Sequence, residues 1–169
     1  MTITEADIQK IKTHIAPLLG QKPREASIGV GSFITLDFGT PIPPARKFSP
    51  RGKRLPDRGE WHLWIYMCAW RLEKGDKVLA ACEDSRQEME AAVKSMEGLA
   101  LQSIQLLRPA WDTLFTFENQ VVLRTFSTHS DCSEEGVDNW LLFTPGDNVL
   151  CIGPGSTWSY GSSSAPPPS

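Results

Sequence analysis

Four side chains in the stretch 59–72 carry the groups from which a ligand platform could be built. His62, Trp64, Tyr66 and Trp70 fall on one face of a segment with a period of two, beside Cys68 and Leu72. Amphipathic rings give a large contact area and can hydrogen-bond at their edges, which suits a small-ligand site or a hydrolase cavity. His62 stands at the end of the segment, where such a site would open. The plainer reading is core packing under a helix, since tryptophan is usually well buried. Asp37, Glu60 and His62 could also meet near a strand end as an acid–base group. No Gly-x-Ser-x-Gly elbow and no Cys-x-x-Cys pair accompanies them, so the sequence gives catalysis little support.

A second candidate is electrostatic. Residues 39–60 hold Arg46, Lys47, Arg51, Lys53, Arg54 and Arg58 against Asp57 and Glu60, a net +4 in a chain of net −3, so the remainder carries −7. Such a segment can hold phosphate, nucleic acid or an acidic protein face. Single-stranded nucleic acid calls for several stacking aromatics beside the charge, and Phe48 stands alone there. An acidic body also argues against a general nucleic-acid binder. The expected partner is therefore an acidic protein. The plainer alternative is a solvated loop resting on the chain's own acidic stretch 128–138, with Asp131, Glu134, Glu135 and Asp138.

A third candidate is a metal site at His129 and Cys132, whose local spacing suits zinc, with Asp131 and His62 as further ligands. One His-x-x-Cys pair in an acidic loop is explained as well by solvation, and no metal is expected. Cofactor motifs fail on inspection. Gly29-Val-Gly31 lacks the third glycine and the helix of a dinucleotide fingerprint. Gly153-Pro-Gly155-Ser-Thr157 lacks the lysine and following helix of a phosphate loop. No cofactor is expected.

The elements that must position these residues follow from periodicity. The stretch 59–72, with three of the chain's six tryptophans, alternates Trp61, Leu63, Ile65, Met67 and Ala69 against the His62–Leu72 set. Apolar character on both faces predicts one central strand covered above and below. A capping box at Thr4–Asp7 and apolar Ile8, Ile11 and Ile15 predict a helix over 4–16, closed by a turn at Pro17–Gly20. Ser85–Glu88 caps a second helix over 86–97, with Gly98 placed to end it. Strands are expected at 28–38 (with Gly29 and Gly31 as a bulge), 77–82, 99–107, 113–118, 121–127, 139–144 and 149–152. The connection 39–60, with five prolines, shows no periodicity. The fold class is α+β: a mostly antiparallel, bent sheet of about seven or eight strands carrying two helices. Residues 1–160 read as one domain and 161–169 as a disordered Ser/Pro-rich tail. A loose echo relates 33–82 to 115–152, each a Phe-rich strand, an irregular loop, a Trp-led strand and a turn.

The blocks Gly31–Gly39 (GSFITLDFG), 59–66 (GEWHLWIY), 123–126 (LRTF) and 143–158 (FTPGDNVLCIGPGSTW) resemble, in this order, a family of small uncharacterised bacterial β-rich proteins. That family assigns no catalytic role. The paired tryptophan strands are also similar in style to immunity proteins of bacterial toxin systems, and that likeness implies protein binding without catalysis.

Composition is that of a globular protein, with no apolar run approaching the roughly 18 residues of a membrane span. The first residues show neither the basic nor the apolar region of a secretory signal, so a cytoplasmic location is the expectation. Cys68, Cys82, Cys132 and Cys151 lie far apart and read as reduced thiols. The leading expectation is a non-enzymatic binding protein presenting residues 46–58 and the rim of the Trp64/Trp70 face to a protein partner.

Overall fold

The computed structural model describes residues 4–133 and 135–164. In chain order these form α1 (Glu5–Ile15), β1 (Pro23–Ile28), β2 (Ile34–Ile42), β3 (Arg58–Ile65), β4 (Cys68–Lys74), β5 (Lys77–Ala81) and α2 (Arg86–Lys94). Then come β6 (Leu101–Leu107), β7 (Asp112–Phe117), β8 (Val121–Ser127), β9 (Trp140–Thr144), β10 (Asn148–Gly153) and β11 (Thr157–Ser162). The protein is α+β and β-rich. Its strands make two antiparallel sheets, a six-stranded one in the order β1-β2-β3-β9-β10-β11 and a five-stranded one in the order β5-β4-β8-β7-β6. The single sheet of seven or eight strands is thereby corrected.

The reason lies at Tyr66 and Met67. Residues 59–72 are two strands in different sheets, and the alternation slips by one residue between them. Trp61, Leu63 and Ile65 are buried on β3, whereas Cys68, Trp70 and Leu72 are buried on β4. Each strand has one core face, and the break makes the combined stretch look apolar on both. The corner is pinned by the Tyr66 amide donating to Asn139 O at 2.9 Å and the Met67 amide donating to Asp138 O at 3.0 Å.

Both helices start at their capping boxes, Thr4 with Asp7 and Ser85 with Glu88. Two strands escape the periodicity reading. β1 precedes the expected strand, and Gly29–Phe33 is the turn joining it to β2, closed by the Gly29 amide on Phe33 O at 2.7 Å. β11 follows the Gly153–Thr157 loop and runs through Ser162, so the expected tail begins as strand; residues 165–169 lie outside the described residues. Among the described residues no helix is long and apolar enough to cross a membrane.

The loose echo has a structural counterpart. The pairing β1-β2-β3 beside β9-β10 in one sheet repeats as β6-β7-β8 beside β4-β5 in the other. In element order and strand pairing, α1-β1-β2-β3-β4-β5 is thus repeated by α2-β6-β7-β8-β9-β10, a pseudo-twofold topology. The turns agree in detail: the Gly20 amide donates to Leu101 O at 2.7 Å, and the Gly98 amide donates to Pro23 O at 2.9 Å. α2 packs on β1, while Ile8, Ile11 and Ile15 of α1 face Ile104 and Leu106 of β6 across a cleft. Each unit's helix therefore lies against the other unit's first strand. Trp70, paired with Thr125, corresponds to Trp140, paired with Ile65. Both indoles are in the core, and both donate across to the opposite sheet, before β2 and at the start of β7: Trp70 Nε1 to Ser32 O at 2.7 Å, Trp140 Nε1 to Thr113 Oγ1 at 2.9 Å.

Because these two rings fill equivalent core positions, Trp70→Ala and Trp140→Ala should each cost about 3–5 kcal/mol. Half-exposed Trp64→Ala should cost about 1 kcal/mol. Urea unfolding of the three variants checks the order.

Candidate functional site

The twofold relation provides an internal control for locating a site, because outward-facing residues of the two sheets occupy matched positions. On the five-stranded sheet Arg71 lies opposite Arg124, and Glu73 opposite Val122. These charges satisfy one another: Arg71 Nε donates to Glu73 Oε2 at 3.0 Å, and Arg124 donates from Nε to Oε2 at 3.1 Å and from Nη2 to Oε1 at 3.3 Å. Those hydrogen bonds outweigh a modest burial effect and hold the Glu73 carboxyl below its ordinary range. On the six-stranded sheet the corresponding residues are Trp64 opposite Leu141 and His62 opposite Phe143. One outer face carries an ionic network and a single half-exposed ring, Phe126, with the Arg71 guanidinium 5.7 Å from its centre; its counterpart carries several half-exposed rings and no such network.

Phe33, from the β1–β2 turn, extends the aromatic face. Its ring lies 4.7 Å from Tyr66 and 6.0 Å from Trp64, and Trp64 lies 4.5 Å from Tyr66. Of the predicted ring set, His62, Trp64 and Tyr66 are brought to this face. Trp70 is removed from it: the phase slip turns it into the core, at 2% exposure. The platform as expected from the sequence is corrected accordingly, and none of the three principal clefts is lined by His62, Trp64 or Tyr66.

Asp37 and His62 do meet, as a cross-strand pair between β2 and β3. Asp37 Oδ1 accepts from the Gly59 amide at 2.7 Å and contacts His62 Nδ1 at 2.8 Å. Burial alone would raise the Asp37 pKa. The hydrogen bonds from His62 and Gly59, with the charges of His62 and Arg24, overcome it and leave the group lowered. Against a carboxylate, Nδ1 carries its hydrogen and donates, leaving Nε2 as the outward nitrogen. Gly59 is required here, since a Cβ would stand 2.5 Å from Phe38 O. Glu60 does not join the pair; it lies beside Gly39, where an added Cβ would meet Glu60 Oε1 at 2.5 Å.

The basic connection is an ordered hairpin. Phe48 and Arg54 form a bridge, the Leu55 amide donates to Lys47 O at 2.9 Å, and the Ser49 amide donates to Lys53 O at 2.7 Å. Arg46, Lys47, Arg51, Lys53, Arg54 and Arg58 are all exposed. Among the described residues none of them forms an ion pair, so the acidic stretch 128–138 does not neutralise them there; Glu134 lies outside those residues. A cleft of about 540 Å³ separates Arg24 and Glu25 of β1 from Lys53, Arg54 and Asp57 of the hairpin. Arg58, where the hairpin returns to the sheet, places its guanidinium 4.8 Å from the centre of the Phe143 ring. The basic and aromatic surfaces are thereby contiguous. The matching β7–β8 connection is only Glu118–Gln120, so the insertion and the aromatic face belong to the same side of the pseudo-symmetric pair.

His129 and Cys132 lie in the 128–139 loop. His129 Nδ1 is 3.3 Å from Thr128 Oγ1, and Asp131 accepts from the Ser133 amide. His62 is committed to Asp37, and among the described residues no three His, Cys, Asp or Glu side chains converge to hold a metal ion. The four cysteines are free; burial pushes the Cys68 thiol up to about 12 and Cys151 up to about 11, so both stay protonated at neutral pH. The residues missed in the sequence are Phe33, Leu141 and Phe143. The alternation of 140–144 carries the signal for the last two, because its apolar residues occupy both faces.

Comparison with protein-family models, curated proteins and solved structures finds no match.

Asp37→Asn should leave the Gly59 and His62 contacts without their charged acceptor. A depressed carboxyl stabilises the fold at pH values above its unfolded value, near 3.8, and this contribution disappears as pH falls through the folded value. Urea midpoints from pH 7 to pH 2.5 should therefore show wild type and variant furthest apart above pH 4 and converging below it.

Proposed function

We propose that the protein is a non-enzymatic binding protein whose outer six-stranded face, together with the hairpin 43–57, receives an acidic protein partner. The observation that carries this reading is the difference between matched outer faces. One pairs its charges, Arg71 and Arg124 on Glu73, beside the single ring of Phe126; the other offers half-exposed Trp64, Tyr66, Phe33 and Phe143 beside exposed, unpaired cations. Aromatic and Arg-rich patches are the usual anchors of protein interfaces, and unpaired cations on an acidic body supply electrostatic steering toward an acidic partner. Neutralisation of a toxin in the bacterial cytosol is the concrete version that the likeness to immunity proteins supports, as is kinship with the small bacterial β-rich family.

Arg51→Glu, Lys53→Glu and Arg54→Glu in one chain should abolish capture of the partner from the native host, leaving the circular dichroism spectrum and melting temperature near those of wild type. Native mass spectrometry of gently purified wild type and variant reads the result. A protein-sized mass increment retained by the folded variant would contradict the proposal.

The Asp37–His62 pair favours a second reading, a small-ligand binder or hydrolase using Nε2 as a base. That reading requires turnover or ligand binding lost on His62→Gln and untouched by the triple charge reversal.

A further inference from the structure

Two nitrogen-bearing side chains of the outer face meet one aromatic ring. Arg58 and His62 stand two alternate positions apart on one face of β3, and both address the same Phe143 ring on β9. The Arg58 guanidinium lies 4.8 Å from its centre and the His62 ring centroid 5.8 Å. Phe143 is thus an apolar floor between two nitrogen donors. Arg58 forms no ion pair among the described residues, and His62 Nε2 has no hydrogen-bond partner among them, whereas Nδ1 is occupied by Asp37. Glu60, the residue between them on the same face, is the obvious competitor. It lies on the β2 side, over Gly39, in space that the missing Cβ leaves open. Phe143 is on the β9 side. Glu60 is therefore directed away from Phe143.

Resting on the reading of this face as a partner surface, we propose that Arg58 and His62 bind one carboxylate of the partner over Phe143, and that binding takes up a proton at His62 Nε2. A carboxylate accepts but does not donate, so Nε2 must carry a hydrogen to meet it. With Nδ1–H held by Asp37, that makes an imidazolium between two carboxylates. The charged groups around it are Arg24 and Glu25 on β1, Asp37 on β2, and Arg58 and Glu60 on β3; among the described residues β9 presents only the apolar Leu141 and Phe143.

The probe is the peptide acetyl-Glu-Glu-amide, with acetyl-Gln-Gln-amide and inorganic phosphate as comparisons at constant ionic strength. The ring signals of the three histidines, His14, His62 and His129, are followed by NMR. The diglutamate should shift the His62 ring saturably, with little effect on His14 and His129. Its affinity should fall at low pH as the peptide's glutamates are protonated, at about pH 4.3, and fall about tenfold per pH unit at high pH once the free imidazole has lost its proton. Arg58→Gln should weaken binding at least fivefold with the His62 Nδ1–H resonance retained, which shows that the pair with Asp37 is intact. No saturable His62 response, an equal response from the diglutamine peptide or from another histidine, or an affinity independent of pH would overturn the receptor. Tighter binding of phosphate than of the diglutamate would overturn the choice of carboxylate. Partner capture that survives these failures leaves the surface reading standing, because that reading is tested at Arg51, Lys53 and Arg54.

Discussion

Two backbone hydrogen bonds, from Tyr66 to Asn139 and from Met67 to Asp138, set the rest of the architecture. They hold the point at which the chain leaves one sheet for the other beside the point at which β9 begins. Side chains alternate along a strand, so a two-residue break between strands can exchange the faces. Before the corner the odd-numbered residues are inside; after it the even-numbered ones are. Trp64 therefore faces out and Trp70 faces in, although six positions of strict alternation would place them together. Sheets that share strands through such bends pack across a common core. Here that core runs as one cluster from Ile11 on α1 through Leu63, Trp70, Phe115 and Trp140 to Ile152.

The pseudo-twofold arrangement turns the fold into its own reference. Positions that differ between the units are not explained by what the architecture needs, because the matching position meets the same need with another residue. Glu73 and Phe143 are one such pair, Arg124 and Trp64 another. A charged network bound within itself gains little from further contact. Half-exposed aromatic rings keep apolar surface in water, and covering that surface is favourable at about 25 cal/mol per Å². The hairpin 43–57, absent from the second unit, adds the charge that would select what covers them. Its cations remain solvated, so their attraction would weaken with salt.

Much of this was legible in the sequence. The two capping boxes located both helices, and the cluster Arg46–Arg58 was visible as charge alone. The group Asp37, Glu60 and His62 was expected to meet near a strand end; Asp37 and His62 do, and Glu60 does not. The sheet change was not legible: an apolar run with a one-residue phase slip has the same appearance as a strand buried on both faces. β1 was hidden because Arg24, Glu25 and Ser27 interrupt its apolar pattern; its edge is instead satisfied from α2 and the turn after it, by Arg86 on Ile28 O and Glu97 on the Ala26 amide. Phe143 was missed, since its partner Arg58 arrives from the far end of a proline-rich connection.

The central claim is that one of two equivalent outer faces binds the partner. Hydrogen–deuterium exchange on the free protein and on its complex with the captured partner tests it most directly. The account predicts protection of the hairpin 43–57, of β3 and of β9, with unchanged exchange along β4 and β8 outside the corner. Protection centred on the Arg71–Glu73–Arg124 face, with the hairpin exchanging as in the free protein, would contradict it.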